Sequence, residues 1–154
     1  MACTEVKANQ GLWNWLRHAF TGKDYYNANG VEVQSNGGSG SVFVDDNGQV
    51  YVDGMEDVSV FGSKHDDKIL ISNSRVKNVD GKNGNDYIEV FNCDVDTMKG
   101  GNGNDALVSW NSNVRKMEGQ KGKDDLIVSG GHVGVMDVGR GDDYLYTQRG
   151  ALVD

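Results

Sequence analysis

The sequence predicts an all-β fold, a single-stranded parallel β-solenoid built from 19-residue coils. Three observations support this prediction. A glycine-rich turn that ends in aspartate recurs at a fixed interval, two apolar positions alternate after each turn, and other apolar residues recur once per coil. A helical repeat would instead show apolar residues at spacings of three and four throughout.

The period is clearest in the middle of the chain. The segments GKNGNDYIEV from Gly81, GGNGNDALVS from Gly100 and GQKGKDDLIV from Gly119 fit the pattern G-x-x-G-x-D-x-h-x-h, where h is apolar or small. The aspartates that end these turns have counterparts one period before the first turn and one period after the last. The five aspartates in this phase are Asp67, Asp86, Asp105, Asp124 and Asp143.

Other positions of the coil share the same phase. Stacking of identical coils would bury the apolar positions in one continuous core and pair each strand with its neighbours. An asparagine position is expected to form a hydrogen-bonded ladder along the stack. The predicted core positions are Val76, Val95, Val114, Val133 and Leu152, then Val79, Met98, Met117 and Met136, and the structural ladder is Asn73, Asn92 and Asn111.

The strand pattern extends further toward the N-terminus than the turn does. Two further steps of one period lead back from Asp67 to Gly48 and Asn29, where the turn is degraded but the strands QVYV and GVEV follow. We therefore predict about seven coils in a right-handed β-roll or β-helix that covers residues 29–154.

Residues 1–28 are predicted to form an N-terminal capping segment with an amphipathic helix near residues 11–21. Leu12, Trp13, Leu16, Ala19 and Phe20 lie at helical spacing, and Gly22 is a typical stop signal. Such a helix would cover the apolar end and the free strand edges of the first coil.

Composition excludes several classes of function. The formal charge of −8 argues against nucleic-acid binding, because that partner is itself negative. No run of apolar residues is long enough for a transmembrane segment, and no N-terminal signal peptide is visible. His18, His65 and His132 share no phase, and no nucleophile or phosphate-loop motif is present, so the sequence predicts no enzyme.

The turn GGNGND with the alternating apolar residues behind it resembles the repeats-in-toxin (RTX) family, whose parallel β-roll binds calcium between stacked turns. The chemistry is intelligible, because glycines aim carbonyl oxygens inward, aspartate adds an anionic oxygen, and calcium takes six to eight oxygens. The ligand positions that this resemblance implies are Asp67, Gly81, Gly84, Asp86, Gly100, Gly103, Asp105, Gly119, Gly122, Asp124 and Asp143.

The best calcium sites would lie between the turns of Asp86 and Asp105 and between those of Asp105 and Asp124. The pairs at either end, with Asp67 and with Asp143, are weaker candidates. The chain departs from the ordinary family pattern, because its 19-residue coil is longer and carries the glycine motif at only one of its two corners. Any calcium should therefore line one side.

The period is similar to that of the calcium-bound solenoid in bacterial ice-binding adhesins, where threonine and asparagine ladders form the ice-binding surface. This chain has Asn83, Asn102, Lys121 and Arg140 at one of those positions, with no threonine. The charged side chains would disrupt a flat template for ordered water. A turn without metal, whose aspartates accept backbone N–H groups, is the alternative to calcium.

The sequence thus predicts a calcium-stabilised, non-catalytic structural or binding module of an exported bacterial protein, such as a toxin, adhesin or effector. It would be secreted by a route without a visible signal peptide. The alternatives are a metal-free solenoid scaffold with a protein-binding face, and a carbohydrate-active or ice-binding surface. Expected partners are calcium ions, a protein or glycan on an outer face, and a second copy at the uncapped C-terminal coil.

Overall fold

The computed structural model describes residues 4–7, 16–148 and 150–154, with side chains from Tyr25 onward. All of the regular elements in these residues are β-strands. They are β1 (Thr4–Lys7), β2 (Leu16–Ala28), β3 (Val31–Val44), β4 (Val50–Asp53), β5 (Asp57–Phe61), β6 (Lys68–Ser72), β7 (Arg75–Asn83), β8 (Tyr87–Phe91), β9 (Asp94–Asn102), β10 (Ala106–Lys121), β11 (Asp125–Asp137), β12 (Tyr144–Gln148) and β13 (Leu152–Val153).

The strands from β4 onward stack in parallel as a β-solenoid with two sheets. In the first sheet, β4, β6, β8, the first half of β10, the first half of β11 and β12 are neighbours in that order. The second sheet contains β5, β7, β9, the second halves of β10 and β11, and β13. Strand pairing in the first sheet leads from Val50 to Leu145 one coil at a time, and the stack has about five turns.

The core lies between the two sheets. The valines at positions 76, 95, 114 and 133 are at most 3% exposed, and Val79, Met98 and Met117 are fully buried. Met136 is only partly buried, because fewer coils cover it near the end of the stack. The burial of these apolar positions confirms the phase that the sequence predicts.

Two predictions about the ends of the stack are wrong. Leu152 is 66% exposed, and it pairs with His132 instead of Val133, because the last step of the second sheet includes an extra residue. The number of coils is also smaller than seven, since residues 29–49 form hairpins and not coils. β3 runs antiparallel to β4 and to β5.

The predicted N-terminal helix is also wrong where the structure describes it. Leu16, Ala19 and Phe20 lie in β2, which pairs antiparallel with β3 from Leu16 to Ala28. Residues 11–15 lie outside the described residues. The turn between the strands has φ angles of 53° at Asn29 and 89° at Gly30, and Asn-Gly is the sequence that favours such tight hairpin turns.

The β2–β3 hairpin covers the first coil, which is the role that the sequence predicts for a helix. The first half of β3 pairs with β5 of the second sheet, and its end pairs with β4 of the first sheet. One strand therefore pairs with the edges of both sheets at the first coil. The backbone N–H and C=O groups of these edges would otherwise have no strand to bond. No helix long and apolar enough to cross a membrane occurs among the residues described.

One core position carries an unsatisfied hydroxyl. Ser109 is fully buried between Val90 and Val128 of the neighbouring coils, and its Oγ has no hydrogen-bond partner. Ser109→Val should raise the free energy of unfolding by about 1–2 kcal/mol, because a valine fits this row and the buried hydroxyl is removed. Urea denaturation measures the change.

Ser129→Val is the matched control for that substitution. Ser129 Oγ is exposed and donates a hydrogen bond to Gln148 Oε1 at 2.6 Å, so its replacement should give no gain in stability. If the unfolding free energy of Ser109→Val is equal to or lower than that of the wild type, the buried Ser109 hydroxyl does not destabilise the protein.

Candidate metal centre in the aspartate turns

The aspartate turns connect each strand of the second sheet to the next strand of the first sheet. Asp86, Asp105 and Asp124 are buried, at 2%, 3% and 0% exposure, whereas Asp67 and Asp143 are only partly buried. The difference follows from position, because the three inner turns have a neighbouring turn on both sides. The turns of the sequence pattern thus lie in one row along one edge of the solenoid.

Four aspartates of this row, all except Asp67, use one carboxylate oxygen to hold the preceding turn. Asp86 Oδ1 accepts the N–H of Asp67 at 2.8 Å, and Asp105 Oδ1 accepts the N–H of Asp86 at 2.8 Å. The same bond joins Asp124 Oδ1 to the N–H of Asp105 and Asp143 Oδ1 to that of Asp124, both at 2.9 Å. The aspartates therefore form a continuous ladder that fixes the stacking of the turns.

The second carboxylate oxygen of the three buried aspartates has no hydrogen-bond partner. Oδ2 of Asp86, Asp105 and Asp124 is buried in each case. A buried polar atom without a partner is costly, and an unpaired buried charge is more so. These three oxygens are therefore the atoms of the row that a proton or a cation would satisfy.

The glycines explain how the unpartnered oxygens fit against the turns. A Cβ placed on Gly100 would lie 2.5 Å from Asp105 Oδ2 and 2.9 Å from the Gly119 carbonyl oxygen. The equivalent positions at Gly81 and Gly119 also face an aspartate Oδ2 and a carbonyl oxygen of the next coil. Only glycine fits against these atoms without a clash, and the atoms around it include carboxylate and carbonyl oxygens.

A second set of glycines shapes the turn itself. Gly84, Gly103 and Gly122 have φ angles of 117°, 132° and 136°, a region that L side chains rarely adopt. The six glycines that the sequence analysis assigned to the metal set are thus in two structural roles. Gly81, Gly100 and Gly119 face the aspartate oxygens, and Gly84, Gly103 and Gly122 allow the chain to turn.

The electrostatics of the row favour an added positive charge. Burial raises the pKa of the Asp86 carboxyl to about 7, the hydrogen bond from the Asp67 N–H opposes this, and the charges of Asp105 and Asp67 add to the rise. Burial likewise raises the pKa of Asp105 to about 6 and raises the pKa of Asp124. Three carboxylates in one row resist ionisation, and a cation would relieve the burial cost and the repulsion together.

The donor chemistry of the row fits a hard cation. No group of three or more histidine, cysteine, aspartate or glutamate side chains lies close enough to hold a metal among the described residues. Any ion would therefore depend on backbone carbonyls as well as aspartates, which suits calcium because it accepts carbonyl and carboxylate oxygens alike. The residues that would hold it are Asp86, Asp105 and Asp124 with the carbonyls of the glycines beside them.

A neighbouring ladder supports the same turns, although we had not assigned it this role. Asp66 Oδ1 accepts the N–H of Asn85 at 2.7 Å, and Asn85 Oδ1 accepts that of Asn104 at 2.8 Å. Asn104 Oδ1 then accepts the N–H of Lys123 at 2.9 Å. The sequence contains a pattern that indicates this ladder, because an aspartate or asparagine precedes the turn aspartate in each of the coils that supply an acceptor.

The predicted ladder of Asn73, Asn92 and Asn111 lies at the corner between the two sheets, where all three residues are exposed. Asn92 Nδ2 donates to Asn73 Oδ1 at 2.9 Å. The φ angles of the three are 50°, 53° and 46°, and asparagine tolerates this left-handed region better than most residues. The left-handed backbone conformation at this corner therefore explains why asparagine occupies these three positions.

Comparisons of the chain with protein-family models, with curated proteins and with solved structures give no match.

Proposed function

We propose that the chain is a calcium-stabilised β-solenoid that serves as a non-catalytic structural and binding module. The observation that carries this proposal is the row of three buried Oδ2 atoms without partners, on Asp86, Asp105 and Asp124. Each lies against a glycine, beside a carbonyl oxygen of the next coil. Such an arrangement supplies oxygen ligands of the kind that calcium takes.

The resemblance of the turns to RTX repeats supports the same cation and extends the proposal to the protein's context. We propose an exported bacterial protein, a toxin, adhesin or effector, in which the solenoid works outside the cell. Calcium sites on extracellular modules are typically weak, with dissociation constants of about 10⁻⁴–10⁻³ M, and they fill where calcium is abundant. We expect the proposed site to be of this weaker kind, because each inner turn offers only one unpartnered carboxylate oxygen.

The expected result of adding calcium is a higher melting temperature. An ion that binds only the folded state at about 100 times its dissociation constant adds about 2.7 kcal/mol to the free energy of unfolding. For a domain of this size we expect the transition to rise by about 5–10 °C. Thermal melts followed by far-UV circular dichroism measure the effect in excess chelator and in about 10 mM calcium, which is about 100 times a dissociation constant of about 10⁻⁴ M.

Magnesium at the same concentration is the control, because it demands a compact octahedral site and should stabilise the protein less. If calcium and chelator give the same spectrum and melting temperature, the turns are metal-free. The aspartates would then act through their Oδ1 ladder alone, and a scaffold without metal would replace the calcium-stabilised module.

A further inference from the structure

The two outward faces of the solenoid differ in chemistry although they share one period. The outward positions of the second sheet are dominated by charge, including Arg75, Lys77, Asp94, Asp96, Arg115 and Lys116. The outward positions of the first sheet instead carry most of the aromatic residues of the described stack. These are Tyr51, Tyr87, Phe91, Trp110, Tyr144 and Tyr146.

The aromatic residues lie in rows, because the coils stack in register. Phe91 and Trp110 are direct neighbours across β8 and β10, and they are 48% and 37% exposed. Tyr144 and Tyr146 lie on β12 with their rings stacked at a centroid distance of 6.4 Å, and both are exposed. The middle row contains Leu70, Glu89, Val108, Ile127 and Tyr146, so it is mostly apolar, although Glu89 is charged and Val108 is only 3% exposed.

Four charged residues lie on this face, Asp53, Lys68, Glu89 and Asp125, and the first three contact neighbouring side chains. Lys68 Nζ lies 5.3 Å from the centre of the Tyr87 ring, and the Tyr87 hydroxyl donates to the Glu89 carboxylate. Asp53 Oδ1 accepts hydrogen bonds from Ser72 and Asn73. Asp125 is the exposed charge that these contacts do not engage, so this face is much less charged than the opposite face and is complementary to an uncharged partner.

The size of the face distinguishes a protein from a smaller molecule as the uncharged partner. Its six strands, each about five residues wide, cover roughly 30 Å by roughly 16 Å, or about 500 Å². A stable protein interface buries about 800 Å² on each partner. The face is too small for a stable dimer of this chain and suits a narrower ligand that lies flat along the stack.

We infer that this face, the aromatic sheet centred on Phe91 and Trp110, binds an uncharged oligosaccharide. Sugar rings have apolar C–H faces that stack on aromatic rings, and their hydroxyls need hydrogen-bonding groups beside those rings. Ser129 and Gln148 lie in the row of Phe91 and Trp110, and the exposed amides of Asn92 and Asn111 lie next to it. Coils about 4.8 Å apart repeat at a spacing close to the length of one sugar unit.

This inference deepens the proposed role as a binding module and rests on it, because it names that module's ligand. It is tested by isothermal titration of the full chain, in calcium, with cellohexaose, chitohexaose, mannohexaose and maltohexaose. Hexagalacturonate is the charged comparison. We expect at least one neutral hexasaccharide to bind and the charged one to bind at least about tenfold more weakly.

The decisive variant is Phe91→Ser with Trp110→Ser. Serine already occupies the same row in the coils on either side, at Ser72 and Ser129, so the strands should accept it. Affinity for the bound hexasaccharide should fall by about tenfold or more, because two stacking surfaces are lost. Val135→Ala removes an apolar side chain of similar exposure from the second sheet and should leave the affinity unchanged.

Three results would overturn the inference. They are the absence of binding to all four neutral hexasaccharides at millimolar concentration, binding that survives the double substitution, and a dimer in sedimentation that the double substitution dissociates. The melting temperature of the same samples in calcium and in chelator keeps the two proposals apart. Calcium stabilisation without sugar binding would contradict only the oligosaccharide proposal. Sugar binding without calcium stabilisation would contradict only the calcium proposal.

Discussion

Gly103→Ala is expected to destabilise the protein by about 3 kcal/mol or more. Gly103 has a φ angle of 132°, and a Cβ on it would lie 1.8 Å from the carbonyl oxygen of Gly84. The two backbones cannot separate easily, because the Gly84 N–H donates to Asn102 O at 3.0 Å and the Gly103 N–H donates to Lys121 O at 2.9 Å. Both the strained backbone angle and the steric clash therefore oppose the substitution.

Urea denaturation measures the loss, with Gly37→Ala as the matched control. Gly37 lies in β3, has no positive φ angle and has no heavy atom within 4 Å of a Cβ built on it. That variant should change the unfolding free energy by no more than about 0.5 kcal/mol. Wild-type stability in Gly103→Ala would show that the turns stack less closely than the structure has them.

Asp105→Asn is expected to change stability in opposite directions with and without calcium. In chelator the variant should be more stable than the wild type by on the order of 2 kcal/mol at pH 8, because a buried unpaired carboxylate becomes neutral. The amide oxygen can still accept the Asp86 N–H, and the amide nitrogen would face the Gly119 carbonyl oxygen. In calcium the order should reverse, since a charged ligand is lost.

The pH dependence gives a second measurement of the same prediction. The folded-state pKa of Asp105 is raised to about 6 from 3.8, so protonation favours the folded protein at low pH. This contribution is complete below pH 4 and is lost as the pH rises through 6. Without calcium, the advantage of the asparagine variant should therefore be small at pH 5 and should grow toward pH 8.

Asp125→Asn is the control for both measurements. Asp125 is adjacent to the row but exposed on the first sheet, so the substitution changes the net charge equally without touching a buried carboxylate. It should have similar effects in calcium and in chelator. If Asp105→Asn behaves like Asp125→Asn, the unpartnered oxygen of Asp105 has no role in cation binding.

The repeated part of the fold was predictable because its information is periodic. A residue such as Val95 has the same environment as Val76 and Val114, one coil away on either side. Each coil therefore repeats the evidence for the phase, and the turn aspartates could be placed in one row without knowledge of the three-dimensional structure. The sequence does not reveal that only one oxygen of each buried aspartate is used, because that depends on how closely the turns stack.

The ends of the stack were not predictable in the same way. The helical spacing of Leu16, Ala19 and Phe20 competes with a tertiary requirement, since the first coil needs a strand to pair with its open edges. Long-range pairing of β2 with β3 overrides the local preference here. The Asn29-Gly30 turn was the available signal, and we interpreted it as a degraded coil because GVEV and QVYV lie one period apart.

The aromatic sheet was visible in the sequence only in part. Phe91 and Trp110 share a phase, but Tyr87 and Tyr146 belong to other rows of the same surface. Recognising the surface requires knowledge of which alternate positions point outward from which sheet. The burial pattern supplies this, because Ile88 and Val90 point inward on either side of Glu89.

The aspartate ladder also gives the solenoid a direction. The N–H of Asp86 is held by the carboxylate of Asp105, which lies one coil later in the chain. A turn therefore reaches its final hydrogen bonding only after the following coil has been synthesised and has folded against it. For the same reason, the first backbone group to lose its partner when an aspartate is removed lies one coil upstream of the altered residue.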